Sequence, residues 1–98
     1  MTVEGAAVLE PDGLDALIGG VRGAEGESVL AIVRSGLDPV TRAAMLAAIG
    51  PLAIERAPEV RVNALVVEAG ADPAAVEAAA RYLAGARSTT GQVLTIAG

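Results

Sequence analysis

VRVNALVVEAGADPAAVEAAARYLAGARSTTGQVLTIAG, residues 60–98, decides the fold. Val60 to Val67 alternates at first and is then continuously apolar, the pattern of a strand covered on both faces. Asp72 followed by Pro73 marks a helix start, because the carboxylate accepts from first-turn N–H groups and proline is tolerated where no donor is needed. Val76, Ala79, Ala80 and Leu83 recur at helical spacing as far as Gly85, a residue suited to ending a helix. Gly91 then opens a second apolar run, Gln92 to Ile96. A strand, a helix and a strand joined this closely form a crossover unit, so the two strands run parallel.

The same grammar extends toward the N-terminus. Ser28 to Ser35 is apolar and β-branched without alternation, and after a turn at Gly36 the pair Asp38-Pro39 starts a long helix toward Arg56. Its stripe is Met45, Leu46, Ile49, Leu52 and Ala53, and Gly50-Pro51 predicts a kink or break, since proline removes a donor and crowds the carbonyl four residues back. Earlier still, Asp12 is a candidate cap for a short helix with Leu14, Leu17, Ile18 and Val21 on one face, expected to fray at Gly19-Gly20. Glu4 to Glu10 is a short apolar run that reads as the first strand.

The alternation βαβαβαβ predicts one domain, residues 1–98, of α/β class: a truncated Rossmann-like, four-stranded parallel sheet with strand order 1-2-3-4. Right-handed connections in that order place every helix on one face. The other face of the sheet would then need a cover from another molecule.

Composition narrows the function. The chain has 98 residues and a formal charge of −5, and its seven basic residues are all Arg, scattered rather than clustered, which gives no positive stripe for nucleic acid. Cysteine and histidine are absent, which removes disulfides, thiolate metal sites and the commonest general base. Neither a signal-peptide pattern nor about 18 consecutive apolar residues occurs, so no membrane association is expected and a cytoplasmic location is the default. Much of the apolar content is alanine and Tyr82 is the sole aromatic residue, so the core must come from Val, Leu and Ile.

From Arg42 the run RAAMLAAIGPLAIERAPEVRVNALVVEAG, followed by VEAAARYLAGARSTTGQVLTIAG, resembles the C-terminal half of the short-chain dehydrogenase/reductases. RVNA at Arg61 to Ala64 and TGQVL at Thr90 to Leu94 are its most specific pieces, and the resemblance covers about Ser28 to Gly98 and, faintly, the preceding helix and strand. It implies a sheet that binds a dinucleotide through a glycine-rich loop after the first strand, for which this sequence has no counterpart; GGVRGAEG follows a helix and reads as a plain loop. It also implies a catalytic Tyr four residues before a Lys. Here Asp38 stands at the Tyr position and Arg42 at the Lys position, while Ser35 follows the strand but lies only three residues from Asp38. An Asp offers no phenol and a guanidinium does not give up its proton, so the expectation is no oxidoreductase chemistry, no cofactor and no catalytic or metal-binding residue.

Two surfaces are the candidates for function. The family resemblance implies that the long helix, and the last helix with the last strand, meet their copies across two-fold axes, which nominates Met45, Ile49, Leu52, Arg56, Tyr82, Leu83 and Val93 as interface residues. The expected partner is a second copy or a full-length dehydrogenase-like protein. The alternative is a small-molecule or nucleotide site at the strand C-termini, where open α/β sheets place ligands, built from Ser35, Asp38, Arg42, Asn63 and Glu68. A third possibility is an enzyme completed by a partner chain.

Overall fold

A computed structural model describes residues 1–98. In chain order the elements are β1 (Ala7–Leu9), α1 (Leu14–Gly23), β2 (Ser28–Arg34), α2 (Pro39–Arg56), β3 (Arg61–Val67), α3 (Pro73–Gly85) and β4 (Val93–Ile96). All strand pairs are parallel and the sheet order is β1-β2-β3-β4, as the alternation requires. Seven residues of β2 pair in register with seven of β3, from Ser28 opposite Arg61 to Arg34 opposite Val67, and this central ladder carries the core. None of the helices is long and apolar enough to cross a membrane.

Side chains alternate across a sheet, and the two faces are filled by different helices. Val29, Ala31 and Val33 of β2 and Val62, Ala64 and Val66 of β3 pack with Leu17 and Val21 of α1 and with Met45, Ile49, Leu52 and Ala53 of α2. On the reverse face, Leu30, Ile32, Leu65 and Val67 pack with Val76, Ala80, Leu83 and Ala84 of α3 and with Val3 of the N-terminal segment. The expectation that all helices share one face is therefore corrected. The hand of a crossover follows from the direction of its step and the face its helix occupies. The third step continues in the same direction as the first two with its helix on the opposite face, so β3-α3-β4 has the hand opposite to the other two connections. The chain thus covers both faces of β2 and β3 itself, and its radius of gyration of 12.1 Å matches the roughly 12.6 Å of a compact chain this long.

Local signals explain most element boundaries. Asp38 accepts from Thr41 N at 3.1 Å and Asp72 accepts from Ala74 N at 3.0 Å, each with proline at the first helical position. Asp12 does not cap α1. The helix starts at Leu14, so Gly13 occupies the cap and makes no side-chain hydrogen bond. Nor does α1 fray at its glycines: it continues to Gly23, and Gly20 lies against Leu9, where an added Cβ would stand 2.9 Å from Leu9 Cδ1. Of the expected kink or break at Pro51, the break does not occur, because α2 is one helix of 18 residues. Pro51 and Ala47, whose carbonyl loses its partner, both face solvent, while buried Ile49, Leu52 and Ala53 anchor the helix on either side.

Candidate functional site

The C-terminal edge of the sheet is the first place to look, and most of its polar groups are already engaged with one another. Ser35 follows β2 and its N–H donates to Val67 O at 3.1 Å. Glu68 follows β3 and its N–H donates to Ile96 O at 3.1 Å, so three strand ends are tied together there. Arg42, in the first turn of α2, forms a half-exposed ion pair with Glu68. Asp38 accepts from the Thr41 backbone and hydroxyl, which makes it the cap of the helix that carries Arg42. On the other side of β2, Arg34 Nη2 lies 2.6 Å from Glu10 Oε1, which closes the β1 end of the same edge.

Chemically this arrangement is self-neutralising. A guanidinium paired with a carboxylate presents no free base, and a capping carboxylate has its lone pairs directed at backbone donors. The sequence holds no histidine or lysine side chain to act as a general base toward Ser35.

Asn63 does not belong to this edge. It is the third residue of β3, five residues before Glu68, which places it roughly 16 Å down the strand. It is 1% exposed on the α3 face, and its amide holds the loop before β4: Nδ2 donates to Thr89 O at 3.0 Å and Oδ1 accepts from Gln92 N at 3.0 Å. Three further bonds complete the clasp. Val62 N donates to Thr90 Oγ1 at 3.0 Å, Gly91 N donates to Val62 O at 2.7 Å, and Ala64 N donates to Gln92 O at 2.9 Å. Gly91 has φ +77°, a conformation side chains disfavour, and this turn delivers β4 to β3. The segments RVNA and TGQVL are thus two halves of one hydrogen-bonded unit. A polar amide in an otherwise apolar strand was the signal for it, because a buried Asn must find partners.

The seven nominated interface residues divide. Met45, Ile49, Leu52 and Leu83 lie in the chain's own core and offer no surface. Arg56 donates to Arg22 O at 2.8 Å and Ala24 O at 2.9 Å, which terminates α1 against α2. Tyr82 and Val93 are the ones at the surface, 63% and 39% exposed. Sequence reasoning missed Val40 and Ile54, 76% and 79% exposed, which share the outer face of α2 with Ala43, Ala47 and Pro51. Their helical spacing was visible in the sequence, but it was overshadowed by the stronger buried stripe.

Compared with known families, the model of the family described as SDR-like, a short chain dehydrogenase-like protein, matches residues 5–96. The chain belongs to the short-chain dehydrogenase-like family. The match takes in every strand and helix, β1 and α1 included, and so reaches further toward the N-terminus than the motifs quoted above. No curated protein matches the chain. In this short-chain dehydrogenase-like protein, the two motif pieces that announced the family serve the fold, and Asp38 and Arg42 serve as a helix cap and half of an ion pair.

Proposed function

We propose that the protein is a non-catalytic short-chain dehydrogenase-like subunit whose role is assembly, with itself or with a full-length relative. The observation that carries this reading is the Arg42–Glu68 pair beside the Asp38 cap. Residues at the Tyr and Lys positions are bound into the fold of α2 and the sheet edge rather than left free to move a proton. Two apolar surfaces support the assembly half of the reading: the outer face of α2 from Val40 to Ile54, and the α3–β4 side with Tyr82 and Val93. Isolated exposed apolar residues are ordinary on proteins, but runs along an element mark contact surfaces. The alternative of a small-molecule site at the strand C-termini is less favoured, because Asp38, Arg42 and Glu68 already satisfy one another or the backbone there.

Calorimetric titration of the purified chain with oxidised and reduced NAD and NADP is expected to give no binding heat. Reductase assays on aldehydes and ketones are expected to give no turnover. Turnover that disappears in Arg42→Ala would overturn the non-catalytic reading. Native mass spectrometry of the chain, alone and mixed with a full-length dehydrogenase of the family, is expected to show species heavier than the monomer; monomer alone in both samples would overturn the assembly reading.

A further inference from the structure

We infer that the free edge of β1 docks an extended segment of a different protein, apolar at its centre and flanked by Lys or Arg, which joins the sheet as a fifth strand. The inference rests on the assembly reading above and names the surface and the chemistry of the partner.

The edge is open, and its side chains are those of an inner strand. β1 is an outer strand paired with β2 alone, so one side of its backbone has no neighbour. Ala7 and Leu9 pack on the α1–α2 side of the sheet, and Ala6 and Val8 pack on the α3 side. All four are half-buried, whereas their neighbours Val29, Leu30 and Ala31 on β2 are fully buried. A strand laid beside β1 would complete the burial on both faces, which calls for apolar residues at successive positions of that strand. Gly5, with φ +83°, and Pro11 bound the open stretch to residues 6–10, room for about five residues or roughly 17 Å. Residues 5–9 contain neither a charge nor a proline, the devices by which edges commonly keep other strands away.

Charge selects the partner. Carboxylates surround both ends of the stretch. Glu25 and Glu27 line, with Gly5, Ala6 and Ala7, a concavity of about 420 Å³ at its start, and Glu4 precedes it in the chain. Asp12 and Asp15 lie just beyond its end, Asp15 in the first turn of α1. None of these five is in an ion pair, while Arg34 is neutralised by Glu10, and Arg22 and Arg81 by carboxylates of their own. A second copy would bring the same five carboxylates to the contact whether its β1 ran parallel or antiparallel, so pairing of two β1 edges is repulsive. A strand with basic residues at both ends is complementary instead. The sheet's other free edge, β4, lies in a segment without charged side chains, Ser88 to Gly98, so the same charge directs such a partner to β1. Main-chain hydrogen bonds to the edge would supply the affinity, and the apolar centre and basic flanks the selection.

The probe is a synthetic peptide with a Val-Ile-Val-Ile-Val centre and two arginines at each end, titrated into the 15N-labelled chain to about 1 mM, which reaches weak affinities. Saturable shifts of the amide resonances of residues 6–10 are expected. The same centre flanked by glutamates should bind about tenfold more weakly or worse, and so should an arginine-flanked Val-Pro-Val-Pro-Val centre, which lacks the backbone donors a strand needs. The exposed double substitution Glu25→Lys with Glu27→Lys should weaken the arginine peptide and strengthen the glutamate peptide, with unchanged far-UV circular dichroism. No shift at about 1 mM, shifts centred on β4 in place of β1, or equal affinity for the valine–isoleucine and proline centres would each overturn the inference. Affinities untouched by the double substitution would overturn it too. The assembly reading is decided apart from all of these, by the mixed sample in native mass spectrometry.

Discussion

Asn63 shows how much one buried amide can hold. Its two polar ends bridge Thr89 O and Gln92 N, and removing them leaves a buried acceptor and donor without partners. Asn63→Ala is therefore expected to cost about 2–3 kcal/mol, a fall in Tm of ~10–20 °C for a domain of this size, which differential scanning calorimetry would read directly. A change below about 0.5 kcal/mol would mean that the clasp does not secure β4. The Arg22–Glu55 pair works at the surface. Arg22 Nε and Nη2 reach Glu55 Oε2 and Oε1 at 2.9 and 2.8 Å, linking α1 to α2. The hydrogen bond from Arg22 holds the Glu55 carboxyl below its usual value of 4.5, opposed by desolvation and helped by the positive charges of Arg22 and Arg56. Between the lowered value and 4.5 the unfolded chain binds more protons than the folded one, so the contribution is complete above about pH 4.5 and fades as pH falls through the folded value. Glu55→Gln should accordingly lower Tm slightly at pH 7 and leave it unchanged near pH 2, a convergence that paired thermal melts would reveal. The same hydrogen bond raises the Arg22 guanidinium above its already high value.

At the level of elements, the two glycines of α1 make opposite predictions from one sequence pattern. Gly19 has open space around an added Cβ, so Gly19→Ala should stabilise by about 1 kcal/mol through helix propensity. Gly20→Ala should gain less than Gly19→Ala, because its methyl meets Leu9 Cδ1 and that side chain must move. Equal gains in urea melts would show that β1 does not press on α1. These cases also mark what was legible beforehand. The strand order and the Asp-Pro starts of α2 and α3 could be read because capping is a local matter of a few adjacent atoms. The face occupied by α3 could not. Both alternate sets in β3, Val62-Ala64-Val66 and Leu65-Val67, are apolar, so the sequence permits a helix on either side. The break at Pro51 failed to appear for a related reason: propensity ranks the helix interior without knowing that Ile49 and Leu52 are packed into the core against the sheet. The nominated site failed in two places for want of a third dimension. Asn63 lies near the start of β3 and Glu68 just past its end. The stripe Met45, Ile49, Leu52 looks the same in sequence whether its own sheet or a partner covers it.

For the whole molecule, the consequential fact is that 24 of 98 residues are buried and 22 of those are hydrophobic, so each cluster is small and every member counts. Val3 is the case in point. It is the sole buried residue of the N-terminal segment, and it completes the α3-side cluster that α3 alone would leave open toward β1. Val3→Asp is expected to destabilise by about 2–3 kcal/mol and to increase binding of an apolar dye such as ANS, since it puts a carboxylate into an otherwise apolar cluster. No change in either measurement would mean that the segment is dispensable. The wide β2–β3 ladder and the four-residue β4 have a further consequence for how the molecule breathes. Because the last strand is short, pairs with a single neighbouring strand and packs on the core through only half-buried Leu94 and Ile96, it can detach in a local opening that leaves the central pair intact. Deuterium should therefore replace the amide hydrogens of Ala64 and Glu68, which donate to the β4 segment, well before those that join β2 to β3.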